Sequence, residues 1–157
     1  EIAIIESHHM EIKNPFKLVY REEKKSKKNL TTSDIVVCAG RGLKSPENWK
    51  MIEELAEVLN GATACTRPVS DMGWRDYNEH AGQTGKHISP KLYIGIGISG
   101  ATQHIAGIIN SKTIIVINND ANADFFKYAD YGIIGDAFQI VPSLTKKIRE
   151  FKNKSSY

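Results

Sequence analysis

A run of closely spaced glycines and small polar residues, Gly95-Ile96-Gly97-Ile98-Ser99-Gly100, leads straight into Ala101-Thr102-Gln103-His104. Glycine lets a backbone come close to a ligand and take positive φ at no steric cost. A helix opening near Ala101 aims its free N–H groups, and the positive end of its dipole, at the same space, which is how a pyrophosphate is cradled. The run fits G-x-G-x-x-G literally, with Asp120 about twenty residues further on, as a dinucleotide fingerprint requires. Dinucleotide binding is the chemistry this spacing supports.

Four other clusters of the same kind follow apolar runs: Gly40-Arg41-Gly42-Leu43-Lys44-Ser45, Thr66-Arg67-Pro68-Val69-Ser70-Asp71, Asn118-Asn119-Asp120 and Gly135-Asp136. There is no G-x-S-x-G elbow, P-loop or H-E-x-x-H, so hydrolytic chemistry is not indicated and no catalytic residue is assigned. His104 falls on the first turns of the helix that begins at the glycine run, where a structural and a functional role both remain open. A helix N-terminus there favours a neutral imidazole or an anionic neighbour. His8, His9 and Glu11 do not make a metal site, because adjacent residues on a strand face opposite ways.

The elements that must position these clusters form a regular alternation. Ile35 to Cys38 is a β-branched run. Ser45-Pro46-Glu47 opens a helix with a capping hydroxyl, a proline in the first turn and an acid at the positive end. Met51, Ile52, Leu55, Val58 and Leu59 recur at helical spacing until Gly61 stops them. Further strands are expected at Ala62 to Thr66, Leu92 to Ile98, Thr113 to Ile117 and Tyr131 to Ile134. Helical segments are expected near Ala101–Ile109, Ala123–Tyr128 and Ser143–Phe151. Continuous apolar strands imply burial on both faces, and strands alternating with helices imply a parallel sheet with right-handed crossovers. The expected fold is a three-layer, doubly wound α/β domain over residues 33–157, whose ligand sits beyond the carboxyl ends of the strands. Residues 1–32 read as a short β lead-in. Ile2, Ile4, Ile5, Phe16, Leu18 and Tyr20 supply too little apolar surface to fold alone, and a further domain is expected before Glu1.

A chain of 157 residues with 41% hydrophobic and 25% charged residues fits one ordinary globular domain. The net charge of +3 is mild, and the basic stretch Arg21 to Lys28 lacks interleaved aromatics, so a solvated loop is expected there and not a nucleic-acid patch. No apolar stretch approaches the ~20 residues that span a bilayer, so no membrane insertion is expected. Cys38 and Cys65 stand at the ends of apolar runs without ligand spacing, as reduced, buried thiols do. A reducing, cytoplasmic setting is the expectation.

Several segments together carry a family resemblance: Gly40-Arg41-Gly42-Leu43-Lys44-Ser45, Gly82-Gln83-Thr84-Gly85-Lys86, Leu92-Tyr93-Ile94, Gly97-Ile98-Ser99-Gly100-Ala101, Gln103-His104 and Ala129-Asp130-Tyr131-Gly132-Ile133. In this order and spacing they closely resemble the C-terminal FAD-binding domain of the electron transfer flavoprotein alpha subunit, from about Asp34 to about Ile148. The resemblance implies FAD as cofactor, a beta subunit as partner in a heterodimer, and a carrier that is not an enzyme. Its electrons would come from a dehydrogenase, often an acyl-CoA dehydrogenase of fatty-acid oxidation, and pass to a quinone-linked or other reductase.

Carried over by position, the resemblance implies that Arg41 touches FAD and that Thr66 and Arg67 lie beside the isoalloxazine. Ala81, Gly82, Gln83 and Thr84 match the loop around the flavin and ribityl chain. Ser99, Gly100, Ala101, Thr102, Gln103 and His104 match the phosphate and flavin segment. Asn118 and Asp120 fall on the ADP portion, and Asp136 with Ala137 where the family closes over it. His104 and Arg67 are the expected donors or cations for charge on a reduced flavin, with Thr84 near N5. Ala39, Ala81 and Asp124 depart from frequent family residues at positions that offer no ligand group. The alternative is the NAD-binding half of a dehydrogenase. Against it, the glycine fingerprint normally follows the first strand, and here two earlier strands precede it.

Overall fold

A computed structural model describes residues 28–154. Most of the proposed lead-in, including its two strands and His8, His9 and Glu11, lies outside the described residues.

Five strands form one all-parallel sheet: β1 (Ile35–Ala39), β2 (Ala62–Cys65), β3 (Leu92–Ile96), β4 (Ile114–Asn118) and β5 (Tyr131–Ile134), in the spatial order β2-β1-β3-β4-β5. Chain order reverses beside β1, because β2 lies on one side of it and β3 on the other. That reversal is the switch point at which doubly wound sheets open a crevice for ligands.

Successive side chains of a strand face opposite layers, and the core divides accordingly. Val37, Ala39, Ile94, Ile96 and Ile117 face one layer, with Ile52, Leu55 and Val141 from helices α1 (Lys50–Val58) and α4 (Ala137–Lys154). Val36, Cys38, Tyr93, Ile114 and Val116 face the other, with Ile105, Ile108 and Phe125. α2 (Arg67–Asp71) joins the first layer through Val69 and α3 (Thr102–Ala106) the second through Ile105, each barely more than one turn, with 3-10 turns at Tyr77–Glu79 and Asp124–Tyr128. The three-layer architecture expected from the sequence is the one observed.

Local departures have physical causes. The helix opened by Ser45 begins as a 3-10 turn over Pro46–Trp49, and the Ser45 hydroxyl caps nothing. α1 is stopped by Asn60 at φ 59, and not by a left-handed Gly61; the Gly61 N–H closes the motif on the Ala56 carbonyl at 2.7 Å. Gly61 is small for another reason: a Cβ there would sit 2.7 Å from the Ile35 carbonyl oxygen. The last helix is longer than Ser143–Phe151 and runs through Pro142. Pro142 faces solvent, so water can satisfy the carbonyl that its missing N–H leaves unpaired. β5 is exposed along its whole length, against the expectation of burial on both faces: it supplies no buried side chain to either core layer, whereas β2, the other edge of the sheet, is largely buried.

Candidate functional site

Beyond the carboxyl ends of the central strands lies a cavity of about 610 Å³, lined from the loops after β1, β2, β3 and β4. Its size and its place at the switch point are those of a cofactor site.

One half is made of backbone. The loops after β1 and β3 lie back to back, with Gly40 N–H on the Ile96 carbonyl at 3.0 Å and Gly42 N–H on the Gly97 carbonyl at 3.1 Å. A Cβ on Gly42 would come within 2.7 Å of Gly97 backbone, and Gly97 itself takes φ +61. Of the fingerprint glycines only Gly97 lines the cavity. Gly95 and Gly100 instead make room for Phe125, where added Cβ atoms would fall 2.6 Å and 2.4 Å from it. The glycines expected to admit a ligand thus chiefly admit other parts of the protein. What they leave for a ligand is the first turn of α3, where Ala101 has no capping side chain and the Thr102 and Gln103 N–H groups have no intrahelical acceptor.

Asn118 fixes this half. Its Nδ2 donates to the Ile98 carbonyl at 2.9 Å and its Oδ1 accepts from Asp120 N–H at 3.0 Å, tying the ends of β3 and β4 together. The Asp120 carboxylate accepts from Asn122 N–H at 2.9 Å.

Side chains make the other half. Arg67 opens α2 and pairs with Asp71 at 3.3 Å, its guanidinium still largely in solvent. The loop from His80 to Lys86 is folded over this end: Ala81 N–H bonds the Cys65 carbonyl at 3.0 Å, Lys86 N–H the His80 carbonyl at 2.8 Å, and Gln83 N–H the Gln103 carbonyl at 2.7 Å. Gly107 meets Gly82 so closely that a Cβ on it would lie 2.4 Å from the Gly82 Cα.

His104 is buried, and both its ring nitrogens are taken. Nδ1 donates to the Ala81 carbonyl at 3.0 Å, and Nε2 accepts the Tyr93 hydroxyl at 2.8 Å. Tyr93 stays a phenol, since burial raises its pKa well above the ordinary value. Burial likewise lowers His104 to about 4, outweighing the Ala81 hydrogen bond. His104 is therefore a neutral brace between β3, α3 and the loop after Ala81. Of the donor or cation expected of His104, the cation is corrected, because burial keeps the ring neutral; Arg67 is the cation at this end.

Of the residues expected from sequence, Arg41, Thr66, Arg67, Gln83, Thr84, Ser99, Ala101, Gln103, His104, Asn118 and Asp120 come together around the cavity. Ala81, Gly82, Gly100 and Thr102 lie next to lining residues without lining it themselves. Asp136 and Ala137 stand off it at the start of α4, where the Asp136 carboxylate accepts from Phe138 N–H at 2.9 Å and Ala137 packs into the core. His80 and Ala123 line the cavity and stand outside every cluster that the sequence singles out. The described residues hold no cluster that could bind a metal ion, and no helix among them is long and apolar enough to cross a membrane. Cys38 and Cys65 are free, buried thiols; burial raises both, Cys65 to about 12, which leaves them unreactive.

The fold and cavity define a doubly wound domain that binds a dinucleotide cofactor. The family model described as "Electron transfer flavoprotein FAD-binding domain" matches residues 29–109, and the chain belongs to that family. It is 47% identical over 131 residues to the electron transfer flavoprotein subunit alpha of Thermoanaerobacterium thermosaccharolyticum, covering 83% of this chain and 40% of that protein. Identity to the Bacillus subtilis subunit alpha is 50% over 122 residues, covering 78% of this chain and 38% of the relative. The mitochondrial subunit alpha of Arabidopsis thaliana is 48% identical over 124 residues, covering 79% and 34%. The chain thus spans roughly two fifths or less of the length of these relatives. FAD is the cofactor that this family assigns to the domain. The residues present fit it: a backbone cradle too tight for a Cβ, two arginines on the lining, and a buried His80 nitrogen with no partner among the described residues.

Proposed function

We propose that this chain is the FAD-binding part of the alpha subunit of a heterodimeric electron transfer flavoprotein, an electron carrier and not an enzyme. It takes electrons from a dehydrogenase, of the acyl-CoA class in the first instance, and passes them to a downstream reductase. The observation that supports the reading best is the joining, at one switch-point cavity, of the glycine-backed helix start with the Arg67 and Gln83–Thr84 end. Membership of a family of FAD-binding domains supports it independently.

When bound, FAD supplies electron acceptance and donation, and the protein's part is holding and tuning. The Thr102 and Gln103 N–H groups and Arg41 would hold the diphosphate as donors. Asn118 and Asp120 hold the shape of the wall for the ADP portion. Arg67 brings positive charge to the flavin end, moderated by Asp71. Thr84 offers its hydroxyl, and Gln83 its amide, on the loop above. Asp136 and Ala137 would reach the cofactor only through the chain segment just after β5.

Co-expression with a beta subunit, followed by flavin analysis, tests this. The expected result is a yellow complex that releases FAD on denaturation and is reduced by a dehydrogenase. A protein that takes up nicotinamide dinucleotides and no flavin would favour the dehydrogenase-half reading.

A further inference from the structure

His80 lies in no part of the glycine framework, yet the framework is folded around it. It lies beside β2, in an isolated parallel bridge with Cys65, the last residue of that strand. Its ring is held between two glycines: a Cβ on Gly85 would sit 2.7 Å from Nδ1, and one on Gly82 would sit 3.1 Å from Nε2. Tyr77 packs edge-on at 5.3 Å between ring centroids. Only 2% of the residue is exposed, and it lines the cavity beside Thr66, Arg67, Pro68, Gln83 and Thr84. Nδ1 is buried and has no hydrogen-bond partner among the described residues.

A buried imidazole nitrogen without a partner is costly and rare in native proteins, so a functional or structural reason for it is expected. The contrast with His104, on the same cavity, is direct, since both of its nitrogens are satisfied by protein. Burial first, and the nearby Arg67 second, lower the His80 pKa, with Asp71 opposing them. The ring is thus kept neutral, with one donor and one acceptor. Such a group does not suit a diphosphate, which the backbone amides and Arg41 serve at the other end. It suits the carbonyls and ring nitrogens of a flavin.

Resting on the reading of this cavity as a FAD site, we propose that His80 is a cofactor-binding residue that hydrogen-bonds the flavin half of FAD. The loop Gly82 to Gly85 then has two tasks: to carry Gln83 and Thr84, and to leave room for this ring.

The test uses the complete complex with its beta subunit, as wild type, His80→Gln and His80→Phe, each stripped of flavin and titrated with FAD. His80→Phe fills the ring's space without a polar atom, and His80→Gln keeps a donor and an acceptor. The expected result is about tenfold weaker FAD binding for phenylalanine, one lost net hydrogen bond, with glutamine recovering most of it. The imidazole ¹⁵N resonances of His80, assigned by their loss in the glutamine variant, should move when FAD is added. Unmoved resonances, or equal losses in both variants, would make His80 mere filling for the loop and overturn the proposal. A wild-type complex that takes up no FAD overturns the parent reading as well. Normal uptake with a silent His80 overturns this one alone.

Discussion

The two ends of the cavity hold their shape by different means. At the β1/β3 end, backbone meets backbone, with Gly42 against Gly97 and glycine N–H groups on carbonyls of the adjoining loop. At the β2 end the wall is made of side chains on a loop, and its two histidines differ sharply. His104 is satisfied twice within the protein; His80 is shut in with an unpartnered nitrogen. The first end is a rigid mould, and the second is a surface completed by what it binds. A mould is sensitive to volume, whereas a side-chain wall is sensitive to hydrogen-bonding character, and that difference can be tested.

The largest effect is expected at the mould. Gly42→Val would drive a branched side chain into Gly97 backbone, at a cost of about 2–3 kcal/mol by the usual penalty for overpacking, and urea unfolding would measure it. FAD content of the same variant should fall with it. Full stability with full flavin content would show that the two loops yield.

At the other end the brace comes next. The folded His104 takes its proton only near pH 4, against 6.5 for an unfolded histidine. The unfolded chain therefore binds the extra proton between those values. The contribution is whole above pH 6.5 and is lost as pH falls towards 4, about 3 kcal/mol over the window. Comparing the pH dependence of unfolding in wild type and His104→Gln isolates it. Tyr93→Phe should cost about 1–3 kcal/mol, because it strands the buried Nε2. An unchanged melting temperature would mean that the brace contributes nothing.

A smaller and different effect is expected at Arg67, whose guanidinium is largely in solvent. Arg67→Gln should leave unfolding unchanged and lower the midpoint potential of the bound flavin by on the order of 30 mV, about 1.4 kcal/mol for a two-electron couple. Redox titration of the complex reads this, and an unshifted potential removes Arg67 from the tuning role. Least of all should follow from Ile134→Lys on the exposed edge strand, within about 0.5 kcal/mol in the isolated subunit.

The mould was legible in the sequence, and much of the side-chain wall was not. Gly40-Arg41-Gly42 and Gly95 to Gly100 announce themselves because sterics leave few alternatives to glycine at positive φ and close approach. α1 was legible from its amphipathic spacing. The one-turn helix Arg67–Asp71 has too few residues to show a period and carries Pro68 in its first turn. α4 outruns the expected Ser143–Phe151 because the rule that a proline ends a helix relaxes where the orphaned carbonyl meets water. Sequence locates the His104 ring near the site without saying that Tyr93 and Ala81 occupy its nitrogens. His80 follows the polar stretch Asp76-Tyr77-Asn78-Glu79, which offers no periodicity. Its one signal was its place two residues before the Gly82-Gln83-Thr84-Gly85 loop, a spacing that acquires meaning only once both glycines are seen to clear its ring.

The most direct test of the central claim is the FAD content of the purified heterodimer, compared between wild type and Gly42→Val. A cofactor seated in this cavity predicts about one FAD per complex in the first and a marked deficit in the second, with the subunits still associated. A colourless wild-type complex, or a Gly42→Val complex that is destabilised yet keeps undiminished flavin, would contradict it.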